Sequence, residues 1–171
     1  MSRIYLVKFT LVIIIFSLIT GCSGGGGGTE KIYPEGNRQK QACFWKISGA
    51  NTERLILPGV GGYDAEAKSI IVVDGVVYTA GSYYNGQKWI ACYWEGTTRR
   101  DLETDGASRA ESIIVNSGTV YTAGYIGRPN WNCYSCYWRD NTRIELPNDG
   151  SASMAYSIAT SGDSIYIAGY Y

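Results

Sequence analysis

The sequence has 171 residues, which favours a single domain, and its 45% hydrophobic and 18% charged residues are typical of a globular chain. Its formal net charge is zero and it has no histidine. It therefore shows no basic patch for nucleic acid and excludes His-based acid–base catalysis and His metal ligation. Fifteen tyrosines and five tryptophans favour strands.

Residues 1–21 have the pattern of a secretory signal. Arg3 and Lys8 form a short basic region, and an apolar run follows at residues 9–19. This run is too short for a comfortable membrane span, which takes about 20 residues. It ends in Leu-Ile-Thr-Gly-Cys at residues 18–22. That ending resembles the lipobox of bacterial lipoproteins, in which the Cys is acylated and becomes the mature N-terminus.

The resemblance implies that Cys22 is the lipid attachment site, with acyl chains such as palmitate anchoring the protein to the membrane of the bacterial cell envelope. An ordinary cleaved signal and an uncleaved anchor are the alternatives. Several acyl chains give stable anchoring where one binds only marginally. Ser23, where Asp would favour inner-membrane retention, implies the outer membrane if the host has one. Residues 22–41 include five consecutive glycines and are expected to form a flexible tether.

Two motifs recur through residues 42–171. The first begins Ala-x-Ser and ends Ala-Gly, and its copies cover residues 67–81, 110–124 and 155–169. The second is Cys followed by two aromatic residues, and its copies cover residues 43–45, 92–94 and 136–138. The first motif repeats at offsets of 43 and 45 residues, and a period in this range indicates a repeat architecture.

Each period divides into four short strands, predicted in the best-defined copy at residues 69–73, 76–83, 89–94 and 99–102. Asp74-Gly75 between the first two is a strong hairpin signal, because both residues tolerate positive φ. Four antiparallel strands per period is typical of a β-propeller blade. The repeats resemble tandem-repeat β-propeller proteins of the bacterial envelope, so the resemblance implies an all-β fold.

The order of the motifs predicts an incomplete ring. The repeat region begins with the outer strands of one blade, continues through two whole units, and ends after the inner strands of another. This predicts an open arc of two full blades and two half-blades, whereas closed propellers typically have 4–8 blades. We expect such an arc to be weakly stable and to self-associate. Either the chain is a fragment of a longer propeller or copies share half-blades in a ring.

The cysteines of the repeated Cys-aromatic motif are predicted to be buried apolar thiols, one per blade. Cys43, Cys92 and Cys136 occupy equivalent positions, and sheets pack about 10 Å apart, beyond the roughly 7 Å that a disulfide allows between Cα atoms. Cys133 and Cys136 form a Cys-x-x-Cys pair, but the sequence has no second pair and no His to complete a zinc site. A disulfide between them requires a bulge. We expect no metal and no cofactor.

The candidate ligand-binding residues are tyrosines that lie within three residues after the repeated Ala-Gly: Tyr83, Tyr84, Tyr125 and Tyr170. If they gather on one rim, they could stack on sugars or anchor a protein; the alternative is packing between blades. No phosphate loop, nucleophile elbow or paired-carboxylate motif occurs, so no catalytic residue is assigned.

These observations favour a lipid-anchored binding module of the cell envelope, with an envelope protein or glycan as partner and no nucleic acid. One alternative is a carbohydrate-active enzyme with carboxylates on one propeller face. Another is a truncated gene product without independent function.

Overall fold

The computed structural model describes residues 39–102, 104–127 and 132–171, and these ranges contain twelve β-strands and no helix. The described strands lie in the compact unit Arg38–Tyr171. In chain order they are β1 (Cys43–Ser48), β2 (Asn51–Ile56), β3 (Ala65–Val73), β4 (Val76–Tyr84), β5 (Trp89–Glu95), β6 (Thr98–Asp101), β7 (Ala107–Asn116), β8 (Thr119–Gly127), β9 (Cys133–Arg139), β10 (Thr142–Glu145), β11 (Met154–Ser161) and β12 (Ser164–Tyr170).

The strands form two complete blades and two half-blades. Strands β3 to β6 form one four-stranded antiparallel sheet, the first complete blade, and β7 to β10 form the second. The N-terminal half-blade is the pair β1-β2, and the C-terminal half-blade is the pair β11-β12. The predicted all-β fold of propeller-like blades is confirmed, and the sheets formed by the described residues do not close into a ring.

Successive blades pack in the same way. The innermost strand of the second complete blade, β7, contacts β3, β4 and β5, and β11 contacts β7, β8 and β9 in turn. A hydrogen bond recurs at both joints, where the Ser of Ala-x-Ser accepts from a backbone N–H of the next blade. Ile113 N donates to Ser69 Oγ at 3.4 Å, and Ile158 N donates to Ser112 Oγ at 3.3 Å.

The hairpin turns agree with the sequence prediction. Asp74 and Gly75, between β3 and β4, have φ values of 50° and 79°. Ser117 and Gly118, between β7 and β8, have φ values of 49° and 77°. A two-residue turn with both φ values positive matches the right-handed twist of the strands that it joins.

A β-bulge interrupts the first strand of each inner hairpin, namely β3, β7 and β11, at the same point. In β3, Ala67 pairs with Gly81 and Ser69 pairs with Ala80, which leaves Lys68 as the extra residue. The register shifts identically around Glu111 in β7 and Tyr156 in β11. The bulge also explains why β3 begins at residue 65, four residues before the predicted start, because pairing resumes beyond the extra residue.

The repeated glycine is required by this bulge. A Cβ placed on Gly81 would collide with the backbone carbonyl oxygen of Glu66, the residue two before the bulge. Gly124 and Gly169 face the same obstruction in their own hairpins. Only a residue without a side chain permits this backbone approach, so the bulge and the terminal Gly of the motif depend on each other.

The centre of each complete blade is formed by the second motif. Trp94 and Trp138 are fully buried, and the indole N–H of Trp94 donates to the carbonyl oxygen of Pro58 at 3.0 Å. Cys92 and Cys136 are also fully buried as free thiols, as predicted. Burial raises the pKa of both, to about 12 for Cys136, so these thiols stay protonated and act as small apolar side chains.

The two other described cysteines are more accessible. Cys43, the equivalent of Cys92 in the N-terminal half-blade, is a free thiol as predicted, but it is only half-buried, so the prediction that it is buried is wrong. Cys133 is also half-buried and free, so no disulfide joins it to Cys136. Since the half-blade lacks two strands that cover the equivalent thiols, the lower burial of Cys43 follows from the architecture.

Candidate functional site

Four charged side chains from the bulged segments of β3 and β7 meet where the two complete blades join. We call Glu66, Lys68, Arg109 and Glu111 the bulge cluster. A bulge bends its strand and turns the extra side chain away from the regular alternation. Two neighbouring bulges at the same height therefore bring charged side chains of adjacent blades together.

Glu66 is the centre of the cluster. Its carboxylate lies 3.1 Å from Nη1 of Arg109, 3.6 Å from Nζ of Lys68 and 3.4 Å from Nζ of Lys40. The Glu66 and Arg109 side chains are each about one quarter exposed. The ion pair therefore lies at an accessible edge of the joint between blades, where solvent partly screens it.

Arg109 is held from a second side by an aromatic ring. Its guanidinium carbon lies 3.6 Å from the centroid of the Trp89 indole, in the first complete blade. A guanidinium over an indole face is a favourable cation–π arrangement. Trp89 also contacts Tyr84 at a centroid distance of 5.9 Å, and Tyr84 meets Tyr63 edge-on at 5.7 Å. The arginine thus lies over one end of a row of three rings.

The two carboxyl groups of the cluster have opposite electrostatic environments. Burial acts to raise the pKa of Glu66, but Arg109, Lys68 and Lys40 outweigh it, and the net pKa lies below its ordinary value. Burial also dominates at Glu111, where Lys68 and Arg109 oppose it only in part and Glu66 adds to it, so the pKa is raised. Glu66 is therefore the more firmly ionised carboxylate, and Glu111 takes up a proton more readily.

The four tyrosines predicted to bind ligand do not share one environment. Tyr83 is buried, its hydroxyl donates to Oδ2 of Asp101 at 3.0 Å, and the Arg99 guanidinium lies 4.1 Å from its ring. Burial, followed by Asp101, raises its pKa to about 12. Tyr83 thus takes part in packing within the blade. Tyr84, the next residue, has its side chain on the opposite face and joins the row of rings beside Arg109.

Tyr125 and Tyr170 lie near the bulges of β7 and β11. Tyr125 is half-buried, and burial followed by Glu111 raises its pKa to about 12, with a smaller contribution from Tyr156. Tyr170 is half-exposed and its ring centroid is 5.9 Å from that of Tyr156. These rings extend the bulge cluster toward the C-terminal half-blade. Tyr125 therefore borders the cluster, Tyr84 and Tyr170 each contact another ring that lies beside it, and Tyr83 belongs to the packing of its own blade.

The sequence prediction missed the charged residues of this site and Trp89. A usable signal was present, because the second position of each Ala-x-Ser copy differs while its neighbours repeat. That position holds Lys68, Glu111 and Tyr156. A variable position inside a constant motif is the pattern of a side chain that the fold does not require.

Other features of the predictions fall partly outside the described residues. The signal at residues 1–21 and Cys22 lie outside them, whereas Lys40, within the expected tether, donates its backbone N–H to Oδ1 of Asp64 at 3.0 Å. In the part of the chain that the structure describes, no group of three or more His, Cys, Asp or Glu side chains could hold a metal ion. No helix among the described residues is long and apolar enough to cross a membrane.

Comparison with known proteins yields no relative. The sequence matches no protein-family model, and no significant match to it occurs among curated proteins or among solved structures.

Proposed function

We propose that this protein is a lipid-anchored binding module of the bacterial cell envelope, and that the bulge cluster with its neighbouring rings is its ligand-binding surface. The observation that carries the proposal is the constant frame around the bulges. Each repeat holds its backbone in the same place and presents a different side chain there: Lys68, Glu111 or Tyr156.

The surrounding groups suit a polar ligand with flat apolar faces, such as an envelope glycan. Trp89 and Tyr84 supply rings, and Arg109 is fixed against Trp89. Glu111 and Tyr125 supply a carboxylate and a hydroxyl nearby. Binding sites generally combine aromatic surface with a few placed polar groups. An envelope protein presenting a polar loop is the other partner that this surface accommodates.

Anchoring is tested by Cys22→Ser in the full chain. The wild-type protein should fractionate with membranes and carry acyl chains by mass spectrometry, and the variant should be released into the soluble fraction. Ser23→Ala, at the neighbouring residue, is the matched control and should stay with membranes. An unmodified N-terminus in the wild type would refute the lipid anchor.

Binding is tested by screening the detergent-solubilised full chain on arrays of envelope glycans and by pull-down from envelope extracts. Trp89→Ala should weaken binding at least tenfold, because aromatic anchors carry much of a binding free energy. Arg100→Ala, an exposed charge on β6 outside the cluster, should have no effect. Equal affinity of both variants for the identified ligand would exclude the cluster as the binding surface.

A second candidate function is hydrolysis of the bound glycan. Its specific support is the opposite displacement of two neighbouring carboxyl pKa values, at Glu66 and Glu111, an arrangement that separates acid and base roles in glycosidases. Glu111→Gln should then abolish hydrolysis while binding persists. If the wild-type protein binds a glycan and leaves it intact, the binding module stands and the enzyme does not.

A further inference from the structure

We propose that the two half-blades complete each other between two copies of this chain, so that two chains form one closed ring of six blades. In each of two composite blades, the inner strands β11-β12 come from one copy and the outer strands β1-β2 come from the other. The partner is therefore a second copy of the same chain.

The first observation is an exposed tryptophan at a position that is otherwise buried. Trp45 in β1 corresponds to Trp94 in β5 and Trp138 in β9, the last residue of the repeated Cys-aromatic-Trp motif. Trp45 is 60% exposed, whereas Trp94 and Trp138 are 0% exposed. The difference lies in the neighbouring strands, because β5 and β9 pair with β4 and β8. No described strand pairs with the corresponding edge of β1.

The second observation is an exposed isoleucine on the inner strand of the first complete blade. Ile70 follows the Ser of Ala-x-Ser, as Ile113 and Ile158 do in the later copies. Ile70 is 51% exposed, whereas Ile113 is 3% and Ile158 is 5% exposed. The two buried residues are covered by the inner strands of the preceding blade, and the N-terminal half-blade has no such strands among the described residues.

These two residues line one groove. It has a volume of about 340 Å³ and is bounded on one side by Phe44 and Trp45 of β1 and on the other by Ser69 and Ile70 of β3. This is the place that inner strands paired with β1 would occupy. The groove therefore lies where an inner hairpin would contact β1 and β3.

The C-terminal half-blade is an inner hairpin with a free outer edge. Strand β12 pairs with β11 on one side, and no described strand pairs with its other side. The equivalent strands β4 and β8 each have a partner there. Ser157 is exposed, although the equivalent Ser69 and Ser112 each accept a hydrogen bond from the next blade. Among the described residues, the hairpin thus has a free strand edge at β12 and a free hydrogen-bond acceptor at Ser157. The equivalent edges and serines of the two complete blades are occupied.

The complete blades fix the register of the proposed joint. Gly81 lies opposite Cys92, and Gly124 lies opposite Cys136. The same alignment places Gly169 of one copy opposite Cys43 of the second copy.

Three further contacts follow from this register. Ile167 lies opposite Trp45 of the second copy, and Tyr166 lies opposite Lys46 of the second copy. Ile70 N of the second copy donates to Ser157 Oγ. Each is a further instance of a pairing that the chain already contains twice.

The number of chains follows from the number of blades. The described residues of one chain supply two complete blades and half of two others, so two copies of these residues make six blades, within the usual range of 4–8. One chain closing on itself would make three blades, and a ring of three chains would make nine. A two-fold arrangement also satisfies both free edges at once and leaves no open end.

The experiment uses two single-cysteine additions to the full chain, Lys46→Cys in one preparation and Tyr166→Cys in the other. Both positions are exposed, and in the register above they form a directly opposed pair without mutual hydrogen bonds, the closer kind of pair. The two variant chains are co-expressed, and the product is mildly oxidised and analysed on non-reducing gels. A matched control replaces Lys46→Cys by Glu53→Cys, on the adjacent strand β2 directly across from Lys46.

The proposal predicts a covalent dimer from the Lys46→Cys and Tyr166→Cys mixture, and at least a tenfold lower yield from the Glu53→Cys mixture, because that cysteine lies one strand too far away. Equal yields from both mixtures would show random collision and overturn the proposal. A third sample is one chain that carries both Lys46→Cys and Tyr166→Cys. If this chain cross-links within itself while the mixture of single variants gives no dimer, a single chain closes on itself and the proposal is overturned.

Mass measurement on the detergent-solubilised full chain gives an independent readout. The wild-type protein should have twice the mass of one chain, and Trp45→Arg should have the mass of one chain with an unchanged far-ultraviolet circular dichroism spectrum. Ser157→Ala should weaken dimerisation by about 30-fold, as expected for two lost hydrogen bonds, one in each composite blade. A wild-type protein of single-chain mass, or of three-chain mass, would exclude the six-blade ring.

Discussion

The complete blades and the half-blades contain the same repeated motifs, yet they bury the same side chains to very different extents. A tryptophan that is fully covered in β5 and β9 lies open in β1. The backbone hairpins do not differ in this way, because the bulge and its glycine occur in β11-β12 as they do in the complete blades. Hairpin geometry is therefore a property of each repeat, while burial is a property of its neighbours.

The sharpest test of this difference compares one residue type at two equivalent positions. Trp94→Ala should lower the free energy of unfolding by about 3–5 kcal/mol, because it empties a fully buried site and removes a hydrogen bond to Pro58. Trp45→Ala should change it by less than about 0.5 kcal/mol in dilute single chains. Urea unfolding of the full chain measures both values. Similar losses at the two positions would mean that Trp45 is buried in the folded chain.

The second test concerns the bulge, which both kinds of blade share. Gly124→Ala should cost about 2–3 kcal/mol, since a Cβ would meet the carbonyl oxygen of Arg109 and the backbone must shift. Gly127→Ala, three residues further along the same strand, meets only ordinary contacts with Ala107 and is the control. Thermal unfolding compares the two. A Gly124→Ala variant as stable as the control would show that the hairpin forms without the bulge.

A smaller effect on stability is expected at Thr122 of the second complete blade, because the equivalent position in the C-terminal half-blade holds an apolar residue. Thr122 in β8 is fully buried and its hydroxyl has no hydrogen-bond partner among the described residues, whereas the equivalent position in β12 is Ile167. Thr122→Val keeps the shape and removes an unsatisfied hydroxyl. It should raise the free energy of unfolding by about 1 kcal/mol. Chemical denaturation measures this gain, and a loss of stability would reveal a bound water or a partner that the hydroxyl requires.

The smallest effect is the pH dependence of the joint between the complete blades. The pKa of Glu66 is lowered, so its ionised form stabilises the fold above its ordinary pKa of 4.5, and this stabilisation disappears as the pH falls through the lowered value. Glu66→Gln should lower the free energy of unfolding at neutral pH by no more than about 1 kcal/mol, because the ion pairs are partly solvated.

Ionisation of Glu111 has the opposite effect on the free energy of unfolding. Its pKa is raised above 4.5, so ionisation of this carboxyl opposes folding as the pH rises through the raised value. Glu111→Gln should therefore be more stable than the wild type at neutral pH and equal to it below pH 4.5. Urea unfolding across a pH series checks both variants, and parallel pH profiles for Glu66→Gln and Glu111→Gln would contradict the opposite environments of the two carboxyls.

Much of the fold was predictable because its signals are local. Asp74-Gly75 requires positive φ at adjacent residues, and the repeat period sets the number of strands. The bulges were not predicted, because an extra residue leaves no mark in a short apolar strand whose alternation is already weak. Their trace was an unvarying Gly in the strand across the hairpin from a variable, unpaired residue, and this pattern becomes meaningful only when the backbone approach at Gly81 is seen.

The candidate site was predictable only in part for a related reason. Tyr84, Tyr125 and Tyr170 were identified because they lie near a repeated motif, but proximity along the chain does not determine the face. Tyr83 and Tyr84 are neighbours, yet one packs against Arg99 and the other contacts Trp89. The charges of Glu66 and Arg109 come from different blades, 43 residues apart, so no local pattern joins them.

The unpaired residue at each bulge has a consequence for how such a chain can diversify. At most strand positions a new side chain must fit its neighbours, so a substitution there first affects the stability of the fold. At residues 68, 111 and 156 the backbone course is set by the glycine across the hairpin, and lysine, glutamate and tyrosine all occur there within one molecule. Single-codon changes at these three positions can therefore alter the charge and shape of this surface while the scaffold is inherited unchanged.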